Sequence, residues 1–213
     1  MNSIILVRHG QAESNVSNLT GGWSQTVLTD LGRHQAQLVA ARLKQELEGV
    51  EVNSYCSDLK RAAQTAEIIA EETGLNIVPE KGFRECNNGV AAGKTKEEAE
   101  EYHVPPTQPL LDWRQYPGAE TWREFYLRVS ECMEKVTAKA DGPLLIVTHG
   151  GTMVNIVAWW IRMPLETLSD FTLRTHNTGI TILTETELGE RAIERHNDVA
   201  HLHLTGIAPT FPI

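Results

Sequence analysis

Two four-residue aliphatic runs in this chain each end in a polar residue, a histidine and a glycine. Ile4-Ile5-Leu6-Val7 leads into Arg8-His9-Gly10, and Leu144-Leu145-Ile146-Val147 leads into Thr148-His149-Gly150. A short continuous apolar run bounded by turn residues reads as a strand buried on both faces, as in a parallel sheet. Ligands of open α/β sheets gather beyond the carboxyl ends of the strands. If the two strands are neighbours, two imidazoles and one guanidinium meet in one crevice. That set suits the grip and attack of a phosphoryl group.

Between the two runs the pattern alternates helix and strand. Thr29 or Asp30 is placed to cap a helix reaching about Leu47, with Leu31, Leu38 and Leu47 inward and Gly49 stopping it. Val50 to Tyr55 reads as a second strand, and Ser57 as the cap of a second helix. That helix carries an apolar stripe of Leu59, Ala62, Ala63, Ala66, Ile69 and Ala70 and stops at Gly74. Asn76 to Val78 reads as a third strand, and a helix is expected near Lys94 to Tyr102. Pro105, Pro106, Pro109 and Pro117 forbid continuous helix, so 82–117 is expected to be an excursion forming a lid or side wall.

Trp122, Phe125, Val129, Met133 and Val136 then mark another helix, and Thr152 to Ile161 a further one. Ile180 to Leu183 and Ala192 to His196 read as a late hairpin at the sheet edge. The tail beyond His203, with two prolines, is expected to lie over the surface. The fold class that follows is α/β, a three-layer sandwich with a mainly parallel central sheet, as one domain over 1–213.

Charge and cysteine usage narrow the function. The net charge of -9 argues against a nucleic-acid partner but leaves a small anionic substrate open, because a few cleft arginines make a local positive field. Cys56, Cys86 and Cys132 are odd in number and lack CxxC spacing, so free thiols in a reducing compartment are expected. No charged n-region and long apolar h-region open the chain, so a cytoplasmic location is expected. The apolar stretch Met153 to Met163 is broken by Asn155 and Arg162 and is too short to span a bilayer.

The chemistry-bearing residues are few. A lone histidine ending a strand is usually structural, but Arg8 beside His9 needs an anion, since an unpaired buried charge is costly. Gly10 allows close backbone approach, and Asn15 can donate to a phosphate oxygen. Arg61 falls early in the second helix, the end that favours anions, and its fork matches phosphate. His201-Leu202-His203 lacks the further ligands a metal site needs, so no metal is expected. His176-Asn177 is placed near the cleft rim. Glu97 to Glu101 reads as a solvated helix face, and Trp159-Trp160 as packing.

Leu6-Val7-Arg8-His9-Gly10-Gln11 resembles the Arg-His-Gly signature of the histidine phosphatase superfamily, the phosphoglycerate mutase-like family. Thr20-Gly21-Gly22-Trp23, Leu28-Thr29-Asp30-Leu31-Gly32, Ser57 to Thr65, Phe83-Arg84-Glu85, Pro117 to Thr121 and Val147 to Gly151 follow in the family's order. The resemblance covers nearly the whole chain and implies the phosphoglycerate mutase-like fold. It implies that His9 is the nucleophile, that Arg8, Arg61 and His149 clamp the phosphoryl oxygens, and that Glu85 is the proton donor. Asn15, Gly21, Gly22 and Gly150 join the phosphate-binding set. It implies a histidine acid-type phosphatase that needs no cofactor and acts on a small phosphorylated substrate, with no membrane partner.

Mutases of the family carry a long insertion between the glutamate and the second histidine, with a basic and aromatic segment after the glutamate. Here Glu85 is followed by Cys86-Asn87-Asn88-Gly89 and the path to His149 is short, which favours the phosphatase branch. Where phosphatases often carry Trp-Glu-Gly, this chain reads Val90-Ala91-Ala92-Gly93, and the small alanines are expected to widen the substrate wall. The alternatives are a cofactor-dependent phosphoglycerate mutase and a phospho-ligand-binding regulator. Sugar phosphates, phosphoserine, nucleotide-derived phosphates, phosphoglycerates and a phosphoprotein all fit the pattern.

Overall fold

The computed structural model describes residues 3–203 and 206. Its elements in chain order are β1 (Ser3–Arg8), α1 (Glu13–Val16), α2 (Asp30–Glu46), β2 (Asn53–Cys56), α3 (Lys60–Thr73) and β3 (Ile77–Pro79). They continue with α4 (Lys96–Glu100), α5 (Trp122–Thr137), β4 (Leu144–Thr148), α6 (Gly150–Trp160), β5 (Ile180–Glu185), β6 (Arg191–Asp198) and α7 (Ala200–His203).

The strands form one sheet in the order β3-β2-β4-β1-β5-β6. The four strands from β3 to β1 run parallel, β5 is antiparallel to β1, and β6 closes the hairpin at the edge. Side chains alternate across the sheet. Ile4, Leu6, Leu144 and Ile146 pack with Phe125, Met133 and Ile156 of α5 and α6. Ile5, Val7, Leu145 and Val147 pack with Val39, Leu43, Ala66 and Ile69 of α2 and α3 on the other face. Three layers follow directly from two strands that are apolar on both faces.

Because both faces of β1 and β4 are apolar, alternation alone does not set their register. The polar ends do. Ile4 pairs with Leu144 and Arg8 with Thr148. A one-residue slip would draw Arg8 or Thr148 into the packed layers, at the cost of an unpaired buried polar group. His9 and His149 therefore emerge level with one another.

Some local readings need correction. Thr29 caps α2, its Oγ1 accepting from Gly32 N at 3.0 Å. Leu31, however, is 38% exposed, and the inward face is Gly32, Gln35, Ala36, Val39, Ala40 and Leu43. The helix is phased by Gly32, where a Cβ would come within 1.9 Å of Gln11 O. Ser57 does not cap α3: the helix starts after Leu59 with no side-chain cap, and Ser57 Oγ turns to the site. Gly74 does end α3, in the left-handed region at φ 75°. The second strand is shorter than expected. Thr95 caps α4 and Thr121 caps α5, each with a reciprocal glutamate three residues on. His201-Leu202-His203 lies on a helical turn, not an extended segment. Apart from Gly206, the tail beyond His203 lies outside the described residues. Among the described residues no helix is long and apolar enough to cross a membrane.

Gly10 and Gly32 sit on each other's backbone: a Cβ at Gly10 would lie 2.3 Å from Gly32 O. Gly32→Ala is therefore expected to cost about 1–3 kcal/mol through backbone displacement. Urea unfolding of the variant measures this, and an unchanged midpoint would show that the turn after β1 is not held by this contact.

Candidate active site

The site lies where β1, β4 and β2 end. His9 N donates to Thr148 O at 2.9 Å, and Ser57 N donates to Val147 O at 3.0 Å, so the three strand ends stay level. The rings of His9 and His149 come to 5.1 Å between centroids, both nearly solvent-free. His9 Nδ1 lies 2.7 Å from Gly10 O, its own neighbour's carbonyl. Donation to that carbonyl puts the proton on Nδ1 and leaves Nε2 with its lone pair. Burial, then the Arg61 and Arg8 charges, hold the His9 pKa well below its ordinary value, so the ring is neutral at pH 7.

Arg61 comes from the first turn of α3 and is 2% exposed. Its Nε lies 3.3 Å from His9 Nε2, and its Nη atoms donate to Ser24 O and Gly22 O at 3.1 and 2.9 Å. Burial lowers its pKa to about 10 even though Glu85 supports the charge. Arg8, at the end of β1, donates from Nη1 to Thr175 O, while its buried Nε has no partner among the described residues. His149 Nε2 lies 2.8 Å from Ser57 Oγ, and its buried Nδ1 is likewise without a partner among the described residues. With Ser57 as donor to Nε2, His149 keeps its proton on Nδ1 and holds it free for an anion. Two buried orphan donors beside a neutral nucleophile describe a seat for an oxyanion.

Glu85 is built in from the opposite wall. Thr148 Oγ1 donates to Phe83 O at 2.7 Å and Thr152 Oγ1 to Arg84 O at 2.9 Å, fastening the segment to β4 and α6. The Glu85 carboxylate accepts from Gly151 N at 3.0 Å and Cys86 N at 2.8 Å. A Cβ at Gly151 would meet Glu85 Oε1 at 2.4 Å, so only glycine leaves the carboxylate its place. Coulombic coupling of Glu85 to both Arg8 and Arg61 puts all three in one field.

His9, Arg8, Arg61, Glu85 and His149 are thus brought together. Asn15 is exposed and is tied to the site through Asn177: its Oδ1 accepts from Ala12 N and from Asn177 Nδ2, which also donates to His9 O. That leaves its amide nitrogen as the donor. Gly22 contributes its carbonyl to Arg61 rather than an N–H, and Gly21 is half-buried beside it. Gly150 opens α6 next to Arg8.

Several contributors were not legible. Arg128, which no motif in the sequence singles out, grips both Glu120 oxygens and donates to Gly82, Arg84 and Glu85 carbonyls. Trp23 Nε1 donates to Glu85 O at 2.7 Å, with the Arg84 guanidinium 4.7 Å over its ring. Thr65 Oγ1 accepts from Gly10 N at 3.1 Å, while Asn177, expected near the cleft rim, donates to His9 O at 2.9 Å. Ala91 does not widen a substrate wall: it is fully buried and its carbonyl receives Thr20 Oγ1. His201 is buried against Thr178 and Arg42, and burial pushes its pKa down to about 4. No cluster able to hold a metal occurs among the described residues.

A family model described as histidine phosphatase superfamily (branch 1) matches residues 4–199. Phosphoglycerate mutase-like protein 4 of Arabidopsis thaliana is 31% identical over 209 residues, covering 95% of this chain and 88% of that protein. A 2,3-bisphosphoglycerate-dependent phosphoglycerate mutase of Cytophaga hutchinsonii is 31% identical, over 81% of this chain and 83% of its own. In fold, a mycobacterial glucosyl-3-phosphoglycerate phosphatase superposes with a TM-score of 0.77 at 24% identity, covering 92% and 99% of the two chains.

The neutral histidines carry a stability signature. Above about pH 6.5 both native and unfolded rings are uncharged and contribute nothing; below it the unfolded chain binds protons that the native site refuses. Stability is therefore expected to fall as pH drops from about 7 to 5. Replacing His9 with Gln should make that slope shallower by about 1.4 kcal/mol per pH unit. Urea unfolding at several pH values reads the slope, and equal slopes for both proteins would contradict the neutral His9.

Proposed function

The chain belongs to the histidine phosphatase superfamily, branch 1, and from that premise we propose a metal-independent phosphomonoesterase of the histidine acid type. It hydrolyses a small phosphorylated metabolite through a phosphohistidine on His9. The observation that carries the reading is the His9 ring, neutral, with Nδ1 on Gly10 O and Nε2 beside Arg61.

In this reading Arg8, Arg61, His149 and Asn15 hold the phosphoryl oxygens. The His9 Nε2 lone pair attacks phosphorus in line, a P–N bond forms, and the P–O bond to the alcohol breaks. Glu85 gives its proton to the departing alkoxide. It then takes a proton from the water that attacks phosphorus, and the P–N bond breaks to restore His9. Fixed cations do the electrostatic work that a metal ion performs elsewhere, without reorganising during the reaction. The seat on Gly151 N keeps the Glu85 carboxylate in reach throughout both steps.

A mutase is the second reading, favoured by the names of the relatives above. The short path from Glu85 to His149 supports the hydrolase. Three cysteines without a disulfide, their thiols pushed up to about 12 by burial, support a reducing, cytoplasmic setting. The net charge of -9 supports a small anion over nucleic acid or an anionic membrane surface as partner.

Released phosphate tests the proposal, with the leaving group as the variable. His9→Ala should abolish turnover. Glu85→Gln should lose about 100-fold on an alkyl phosphate. In kcat/KM, which reports P–N bond formation and not the later water attack common to both esters, it should lose far less on 4-nitrophenyl phosphate, whose leaving group needs no proton. Chelator should leave the rates intact. An equal loss on both esters would remove Glu85 as proton donor, and isomerised phosphoglycerate without free phosphate would decide for the mutase.

A further inference from the structure

We propose that the alcohol released is uncharged and hydroxyl-bearing with an apolar face, of the sugar or polyol class, seated in the cleft beside Glu85. The inference rests on the phosphatase reading above and names its substrate class. The cleft has a volume of about 210 Å³ and is bordered by Glu85 itself. Three aromatic rings line it, Trp113, Tyr116 and Trp122, with three amides, Asn87, Asn88 and Gln115. Rings with an amide fringe match the two surfaces of a sugar, C–H faces for stacking and hydroxyls for hydrogen bonds.

The aromatic wall is preformed. Trp113 Nε1 donates to Val104 O at 2.9 Å, and His103 makes edge contacts to Trp113 and Tyr116 at 5.6 and 5.8 Å. Trp122 is 39% exposed although it opens an otherwise well-packed helix, which presents its ring to the cleft mouth. Asn88 Oδ1 is buried and without a partner among the described residues. A hydroxyl can donate to that acceptor, whereas a bare aryl ring cannot.

Charge excludes the acidic alternatives. No lysine, arginine or histidine lines the cleft among its described residues, and two carboxylates do, Glu85 and Glu120. The guanidiniums bonded to lining residues are engaged: Arg128 with Glu120, Arg61 with Gly22 O and Ser24 O, and Arg114 with Glu124 and Ala119 O. A carboxylate on the leaving group would find no cation in the lining to pair with, since Arg128 is taken by Glu120. Phosphoglycerates are therefore poor fits, whereas a neutral alcohol of the same size is not opposed.

Glycerol 3-phosphate and 3-phosphoglycerate make the sharpest comparison, since they differ in a hydroxymethyl group against a carboxylate. With phosphate release as readout, kcat/KM for glycerol 3-phosphate should exceed that for 3-phosphoglycerate by about tenfold or more. A hexose 6-phosphate should do better still, and Trp122→Ala should raise its KM. Gln115→Arg, which adds a cation at an exposed lining position, should move the glycerol-to-glycerate ratio toward 3-phosphoglycerate. Turnover of 4-nitrophenyl phosphate with 3-phosphoglycerate equal to or ahead of glycerol 3-phosphate would overturn this inference alone. Silence toward every ester, the aryl ester included, would sink the phosphatase reading and this one with it.

Discussion

The in-register parallel pairing of β1 with β4 is the constraint on which the site depends. Arg8 stands opposite Thr148, so the next residue on each strand, a histidine in both cases, emerges at one level. β2 ends beside them, and Ser57 supplies the oxygen that orients His149. The rest of the site is fastened to this edge: Thr65 of α3 to Gly10 N, Asn177 to His9 O, Thr148 to Phe83 O. A scaffold of this kind positions side chains by the backbone, which holds reacting groups more closely than loops do alone.

The same edge concentrates unfavourable terms. Two guanidiniums and two imidazoles crowd together away from water, and burial is the leading cause in each lowered pKa. Arg8 Nε and His149 Nδ1 end without partners among the described residues. Such deficits are destabilising on their own and become favourable when an oxyanion arrives. Glu85 offsets part of the field from across the cleft, yet its carboxylate is held on Gly151 N and Cys86 N rather than on either arginine.

The sequence was most informative where one physical signal dominated. Continuous aliphatic runs marked β1 and β4, and the arginine behind the first run pointed to an anion. Thr29 and Gly74 set helix ends through capping chemistry alone. Readings failed where a tertiary contact outweighed local preference. Leu31 is exposed because Gly32 has to face Gln11, which rotates the helix. Ser57 gave up a cap position for His149, and Ala91 went to the loop packing against Thr20. Arg128 was not legible, since its carbonyl partners at Gly82, Arg84 and Glu85 lie more than 40 positions away in the chain. The fold class rested on patterns within short windows, whereas the shell around Glu85 rests on contacts no window contains.

Covalent capture of the intermediate tests the central claim most directly. The enzyme is mixed with a rapidly hydrolysed phosphomonoester, quenched in alkali, where a phosphoramidate survives, and digested for mass spectrometry. The account predicts one added phosphoryl group on the peptide carrying His9, lost on acid treatment and absent from an enzyme with alanine at that position. A phosphoryl group found on His149, on a serine or on no residue during steady turnover would contradict it.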